Sequence, residues 1–331
     1  MDDNKKIAVI GGGSWATAIV KMLVENEEKV GWYMRNVYAL EHIKINHHNP
    51  NYLSSVEFDV NKLDLSNNLN DIVDNYDYLI FAIPSAFLKQ ELDAFKPQLR
   101  EKIIFSAIKG IVPETGTIVG EFFHNQYSIP YDRIGVVTGP CHAEEVALER
   151  LSYLTIACQN SEHAEIVADK ISCEYIRTKI SDDIYGTEYS AVLKNIYSIA
   201  AGVAHGLGYG DNFQAVLMSN SIREIGRFLE VVYPIQRDIN NLAYLGDLLV
   251  TGYSVFSRNR MFGNMIGKGY TVKSAQMEMN MVAEGYYASK SITKLVSKYD
   301  IDMPITEAIY KILYKGKEPK QVMSKLTEKL N

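Results

Sequence analysis

The chain has 331 residues, 47% hydrophobic and 22% charged, a balance that excludes a disordered chain and allows two domains of ordinary size. A formal net charge of −6 gives no global attraction to nucleic acid or an anionic membrane, so any anionic ligand must be held by local cations. Cys141, Cys158 and Cys173 have no C-x-x-C spacing, which suits a reducing compartment and argues against a disulfide framework. The charged start MDDNKK runs straight into an apolar stretch, so no signal peptide is expected. No uncharged apolar run reaches the roughly 18–20 residues of a spanning helix, and the expected location is the cytoplasm.

The first predicted elements lie in IAVIGGGSWATAIVKML, Ile7 to Leu23. Ile7, Ala8, Val9 and Ile10 suit a buried parallel strand, and Trp15, Ile19, Met22 and Leu23 follow at helical spacing. Gly11, Gly13 and Ala16 between them fill the G-x-G-x-x-G/A pattern, whose turn aims backbone N–H groups at a pyrophosphate. Further strands are expected over Lys29–Met34, Tyr78–Ile83, Lys102–Ala107, Ile134–Val137 and Leu154–Ala157. Their continuous apolar character, alternating with helical patterns, predicts a parallel sheet covered on both faces. Ser14, Pro84, Lys109 and Gly139 all follow strand ends and are expected to line one crevice. Strand signals fade after about Arg177, and Glu188–His205, Asp211–Val231, Asn240–Thr251 and Met277–Tyr299 read as helices. The fold class is therefore a Rossmann-type α/β domain, residues 1–185, followed by an all-α domain, residues 186–331.

The second strand ends in Met34, Arg35 and Asn36, without the carboxylate that commonly meets the ribose hydroxyl of NAD. Arg35 can pair with a 2′-phosphate through a charge-assisted fork, which makes NADPH plausible; stacking on adenine leaves NAD open.

Lys109, in AIKGI, leaves a strand end where an anionic or carbonyl substrate could meet it. Lys194 is set among apolar neighbours in SAVLKNIYSIAAG. Lysines are seldom buried without a partner or a role, and burial moves their pKa towards the range useful for proton transfer. Asp247, a single charge in LAYLGDLLVTG, could partner Lys194 or accept a hydrogen bond from a substrate hydroxyl. Ser257-Arg258-Asn259-Arg260 precedes a helix-like stretch and suits a phosphate cradle. No histidine or cysteine grouping has metal-ligand spacing, so no metal is expected.

Taken in order, these motifs resemble bacterial NAD(P)-dependent glycerol-3-phosphate dehydrogenase. They are GGGSWATA (11–18), IKG (108–110), GPCHAEEVA (139–147), EYSAVLKNIYSIAAGVAHGLGYGDN (188–212), LGDLLVT (245–251), SRNRMFG (257–263), VAEG (282–285) and MPITEAIY (303–310). The resemblance implies reversible reduction of dihydroxyacetone phosphate to sn-glycerol 3-phosphate with NAD(P)H, supplying glycerol 3-phosphate for phospholipid synthesis. It implies a helical second domain like that of 6-phosphogluconate dehydrogenase and a homodimer. Lys194 matches the proton donor and acceptor. Lys109, Gly139, Cys141, Asp247, Ser257, Arg258 and Asn259 match substrate positions. Gly11, Gly13, Ser14, Trp15, Arg35, Lys109, Ala143, Arg258, Val282 and Glu284 match cofactor positions. The chain departs from the family at Ala16, usually glycine, and at Cys141-His142, usually Ser or Thr then Phe. A thiol donates more weakly than a hydroxyl, so a contact at Cys141 is expected from the backbone. Two other readings weigh less. An enzyme of the same architecture reducing a different β- or 2-oxo acid would place a carboxylate in the Ser257–Arg260 cradle, and a redox-sensing NAD(P)H-binding protein would leave Lys194, Asp247 and Ser257–Asn259 unexplained.

Overall fold

β1 (Ile7–Ile10) is buried at all four residues and pairs in parallel with β2 (Val30–Tyr33) on one side and β4 (Tyr78–Phe81) on the other. In chain order, the first part of the molecule runs β1, α1 (Ser14–Leu23), β2, α2 (Val37–Asn46), β3 (Leu63–Ser66), α3 (Leu69–Asn75), β4, α4 (Ser85–Phe95) and β5 (Ile103–Ser106). Two-residue strands β6 (Ile111–Val112) and β7 (Thr117–Ile118) follow, then α5 (Val119–Tyr127), β8 (Ile134–Thr138), α6 (Ala143–Ala147), β9 (Ser152–Cys158), α7 (Ser161–Ile171) and β10 (Ile176–Ser181). This computed structural model describes residues 5–279 and 283–331. It separates into two units: one runs to Ile108 and resumes over Thr117–Ile184, and the other comprises Lys109–Gly116 and Tyr185–Asn331.

The first unit is built on a sheet of order β10-β9-β8-β5-β4-β1-β2-β3. From β3 to β8 every pairing is parallel, the doubly wound pattern whose order reverses between β1 and β4. The expectation of a wholly parallel sheet needs one correction. β9 runs antiparallel to β8, and β10 then runs parallel to β9. The chain between β8 and β9 holds only the five-residue α6, so it returns from the edge at which β8 ended instead of crossing back over the sheet. Val9, Ile80, Phe105, Val137 and Ile156 from the strands pack in one core with Ile19, Met22 and Leu23 of α1. Both edge strands, β3 (LDLS) and β10 (IRTKIS), are half-exposed and carry charges, so neither shows the apolar run that marks a central strand.

The second unit is largely helical: α8 (Ile184–Gly206), α9 (Asp211–Val232), α10 (Asp247–Tyr253), α11 (Arg258–Gly267), α12 (Val272–Glu278), α13 (Glu284–Tyr299), α14 (Pro304–Lys315) and α15 (Pro319–Thr327). α8 is buried continuously over residues 186–204, its mainly apolar surface enclosing a few polar side chains such as Glu188 and Lys194. It meets α11 at backbone distance. A Cβ on Gly202 would lie 2.1 Å from the Arg260 carbonyl oxygen, and one on Gly263 would lie 2.1 Å from that of Ile199. Buried Glu224 of α9 accepts hydrogen bonds from the Ile305 and Thr306 backbone N–H groups and the Thr306 hydroxyl, tying α9 to the start of α14.

Two helices differ from expectation. Asn241 caps the chain through Ala243 N–H (3.1 Å), and one wide turn over Leu242–Gly246 runs directly into α10. The pattern over 277–299 is not one helix: α12 ends at Glu278 with Met279 extended, and α13 starts at Glu284. The charged tail beyond Leu313 gave no expectation, yet Pro319 starts α15, which buries Met323 and Leu326.

Gly202→Ala and Gly263→Ala should each force α8 and α11 apart, with a loss of about 1–3 kcal/mol by the usual cost of overpacking. Chemical denaturation of the purified variants measures it, and an unchanged midpoint would contradict the close approach.

Candidate active site

In the first unit the glycine turn sits where the sheet order reverses. Gly11 has φ +142°, and a Cβ there would lie 2.5 Å from the Ala82 carbonyl oxygen beyond β4, so the loops after β1 and β4 touch through backbone. Gly13 precedes α1 in extended conformation, and a Cβ on it would meet nothing within 4 Å. The first turn of α1 carries no acidic side chain, so the positive end of its dipole is not offset there. An open glycine, a close backbone and such a helix start fit the diphosphate of a dinucleotide.

The turn is cross-braced by residues the fingerprint does not contain. Trp32 Nε1 of β2 donates to the Gly11 carbonyl (2.7 Å). Asn49 Nδ2 donates to the Gly12 carbonyl (3.2 Å) and to Thr17 Oγ1 (2.9 Å), and Thr17 Oγ1 donates to the Gly13 carbonyl (2.9 Å). Of the expected cofactor residues, Ser14 is buried and Trp15 half-buried on α1, and Arg35 is exposed just beyond β2. Arg35 Nη1 lies 3.6 Å from Glu91 Oε2 of α4, and the Tyr33 hydroxyl donates to Glu91 Oε1.

Beyond β8, Gly139 has φ +117° and packs on the backbone of residues 153–155 of β9. Cys141 is buried, and Ala143 is buried at the start of α6. Ser14, Pro84 and Gly139 thus follow the carboxyl ends of parallel strands β1, β4 and β8, the sheet edge where open α/β sheets bind ligands. Lys109 belongs to the second unit.

In the second unit, α8 presents Lys194, Asn195 and Ser198, and α10 presents Asp247 and Thr251. Lys194 and Asp247 are 4% and 1% exposed, deep enough that each charge needs a partner. Lys194 Nζ donates to Asp247 Oδ1 and to Thr251 Oγ1 (3.0 Å). Asp247 Oδ2 lies 3.5 Å from Lys109 Nζ, so one carboxylate joins two lysines. Thr251 Oγ1 donates to the Asp247 carbonyl one turn back (2.7 Å), and Asn195 Nδ2 donates to the Lys109 carbonyl (2.7 Å). Burial pulls the Lys194 ammonium from its usual 10.5 to about 7; Asp247 opposes the fall and Lys109 adds to it.

Ser198 Oγ donates to the Thr251 carbonyl (3.0 Å) and shares a hydrogen bond with Ser257 Oγ (2.7 Å). Ser257 caps α11 by accepting from Arg260 N–H (3.3 Å). Asn259 Oδ1 accepts from Gly285 N–H (3.0 Å), which commits its oxygen and leaves Nδ2 as the donor for a ligand. Arg258 is half-buried in the first turn of α11 and Glu284 half-buried in that of α13. The structure therefore brings Lys109, Lys194 and Asp247 together, and it links Lys194 to Ser257 through Thr251 and Ser198. Val282 lies outside the described residues. Among the described residues, no three His, Cys, Asp or Glu side chains gather as a metal site, and no helix is long and apolar enough to cross a membrane.

Residues 6–164 match the family model described as NAD-dependent glycerol-3-phosphate dehydrogenase N-terminus, and residues 183–324 match the C-terminus of the same family. The chain belongs to the NAD-dependent glycerol-3-phosphate dehydrogenase family. The glycerol-3-phosphate dehydrogenase [NAD(P)+] of Exiguobacterium sp. is 36% identical over 322 residues, 97% of this chain and 94% of the relative. That of Staphylococcus carnosus is 34% identical over 312 residues, 94% of each chain. The crystal structure of glycerol-3-phosphate dehydrogenase from Coxiella burnetii superposes with a TM-score of 0.91 at 28% identity, covering 98% of this chain and 99% of that one.

Within this member of the glycerol-3-phosphate dehydrogenase family, sequence reasoning missed Asn195, Ser198 and Thr251. Spacing could have found them: Ser198 is one helical turn beyond Lys194, Thr251 is one turn beyond Asp247, and Asn195 adjoins Lys194. Glu91 and Asn49 had no such signal, being 56 and 37 positions from the residues they hold.

Asp247→Asn removes the charge that holds the Lys194 pKa up. The lysine should then titrate below about 7, which NMR of selectively labelled lysine would follow; an unchanged or raised value would show that Asp247 is not its electrostatic partner.

Proposed function

We propose that this protein catalyses the reversible reduction of dihydroxyacetone phosphate to sn-glycerol 3-phosphate with NAD(P)H. The observation that carries the reading is the Lys109–Asp247–Lys194 cluster, buried at Asp247 and Lys194 and half-buried at Lys109, in a chain whose two halves both match this family. With Lys194 protonated, two cations face one carboxylate, a balance suited to an anionic substrate.

The residues present fit a dinucleotide. Gly11, Gly13, Ser14 and Trp15 would hold its diphosphate end, with Arg35 towards the adenosine; Ala143, Arg258, Val282 and Glu284 are carried over from the family as further contacts. When bound, the nicotinamide supplies hydride in one direction and takes it in the other. In reduction, protonated Lys194 gives a proton to the ketone oxygen as negative charge develops there; in oxidation, the neutral amine takes the alcohol proton. A lysine titrating near 7 serves both directions at neutral pH. Asp247 holds Lys194 in place, and Thr251 accepts from the same Nζ and fixes its direction. Lys109 orients the substrate oxygen, anchored at its backbone by Asn195. Arg258, the Asn259 Nδ2 and the start of α11 take the phosphate, with Ser257 shaping that turn. Gly139 and Cys141 are proposed as substrate contacts, Cys141 through its backbone. We also propose, from the family, a cytoplasmic homodimer whose product feeds phospholipid synthesis.

Steady-state kinetics with dihydroxyacetone phosphate, using NADH and NADPH in parallel, test the reading; no substrate-dependent oxidation of either would sink it. Lys194→Ala should lower turnover by roughly 10²–10⁴-fold with the fold intact. In the wild type, reduction should weaken as pH rises through about 7, because the acid form of Lys194 is lost. Oxidation should strengthen over the same interval, because the base form appears. Opposite pH slopes for the two directions check the role of Lys194, and matching slopes would reject it.

A further inference from the structure

The carboxylate that the end of β2 lacks in sequence reaches that place from α4. Met34, Arg35 and Asn36 follow β2, and the Asn36 side chain is spent on capping α2 through Ala39 N–H (3.1 Å). Glu91, 6% exposed, lies with one oxygen on the Tyr33 hydroxyl and the other 3.6 Å from Arg35 Nη1. Tyr33 is the last residue of β2 and is itself buried, and its ring packs edge-on against Phe95 of the same helix as Glu91, with centroids 5.8 Å apart. The carboxylate is thus anchored at a fixed place, whereas Arg35 beside it is mostly exposed.

We infer that Glu91 selects the dinucleotide, biasing the Arg35 site towards NAD(H) and against NADP(H). The inference rests on the dinucleotide part of the function proposed above and goes beyond it in naming the residue that chooses. In doubly wound folds the end of the second strand meets the adenosine ribose. A 2′-phosphate at Arg35 must share that guanidinium with Glu91 and bring its own negative charge against a buried carboxylate, which has little water to screen it. A 2′-hydroxyl brings no charge and can donate to the carboxylate. Arg35 read alone in the sequence points to a 2′-phosphate; Arg35 already paired with Glu91 does not.

The test is direct titration of the purified apoprotein with NADH and NADPH by calorimetry, so it does not depend on turnover. Wild type should bind NADH more tightly. Glu91→Gln keeps the shape and removes the charge, and it should shift the ratio of the two dissociation constants towards NADPH by about tenfold or more, the scale of a relieved like-charge contact. Tyr33→Phe releases the anchor that holds the carboxylate against the 2′-position, lets it turn away from a 2′-phosphate, and should shift the ratio the same way by less; it decides the matter if Glu91→Gln fails to fold, which thermal melting reports. If Glu91 is only a structural tie between β2 and α4, the variants lower the melting temperature and leave the ratio unchanged, which overturns the inference. A wild-type preference for NADPH, or no binding of either dinucleotide, overturns it too. Tight NADH binding without reduction of dihydroxyacetone phosphate would instead defeat the proposed reaction and leave this selectivity standing.

Discussion

The proposed chemistry depends on one buried carboxylate. Asp247 is almost wholly removed from water and joins two lysines, one as deeply buried as itself. Removing Lys194 would leave the buried Asp247 carboxylate short of a partner where it cannot be solvated, at a typical cost of about 3–5 kcal/mol. Three segments distant in sequence must therefore keep register: the stretch around Lys109, the middle of α8 and the start of α10. The same arrangement sets the acid strength of Lys194. Burial favours the neutral amine, Lys109 pushes the same way, and Asp247 holds the proton on. With Asp247 alone the lysine would stay charged, and without it the amine would stay neutral. That balance suits Lys194 to the proposed acid and base roles near neutral pH.

That register is supported by backbone contact. Gly202 and Gly263 let α8 and α11 approach at backbone distance, and the start of α11 is linked to Lys194 through Ser198 and Thr251. Ser257 meets Ser198, Ser198 meets the Thr251 carbonyl, and Thr251 accepts from Lys194. The proposed phosphate-binding turn and the proposed proton donor are thus parts of one hydrogen-bonded structure.

The first unit follows the same economy. Its glycine turn is held by Trp32 and Asn49, which satisfy carbonyls that a ligand cannot. The end of β2 is tied to α4 by Tyr33 and Glu91. These braces explain how a turn of small residues keeps a defined shape while Gly13 leaves room for a ligand.

Much of this was legible in the chain alone. Central strands β1, β4, β5 and β8 are buried on both faces, so their runs are continuously apolar, and the glycine pattern can be read because it needs neighbours only in sequence. Lys194 and Asp247 stood out as lone charges in apolar helices, where burial is costly and a reason is required. Edge strands β3 and β10 stayed hidden because an exposed strand need not be apolar, and the reversal of β9 did because direction leaves no mark on composition. What the sequence by itself determined was the strand-turn-helix start, the helical second half, the family resemblance and the identity of the charged residues. Only the tertiary structure decided which charges meet: that Asp247 joins two lysines, that Lys109 groups with the helical unit, and that Glu91 stands beside Arg35. Those pairings depend on distances between residues 53 to 138 positions apart, which packing sets and local pattern does not encode.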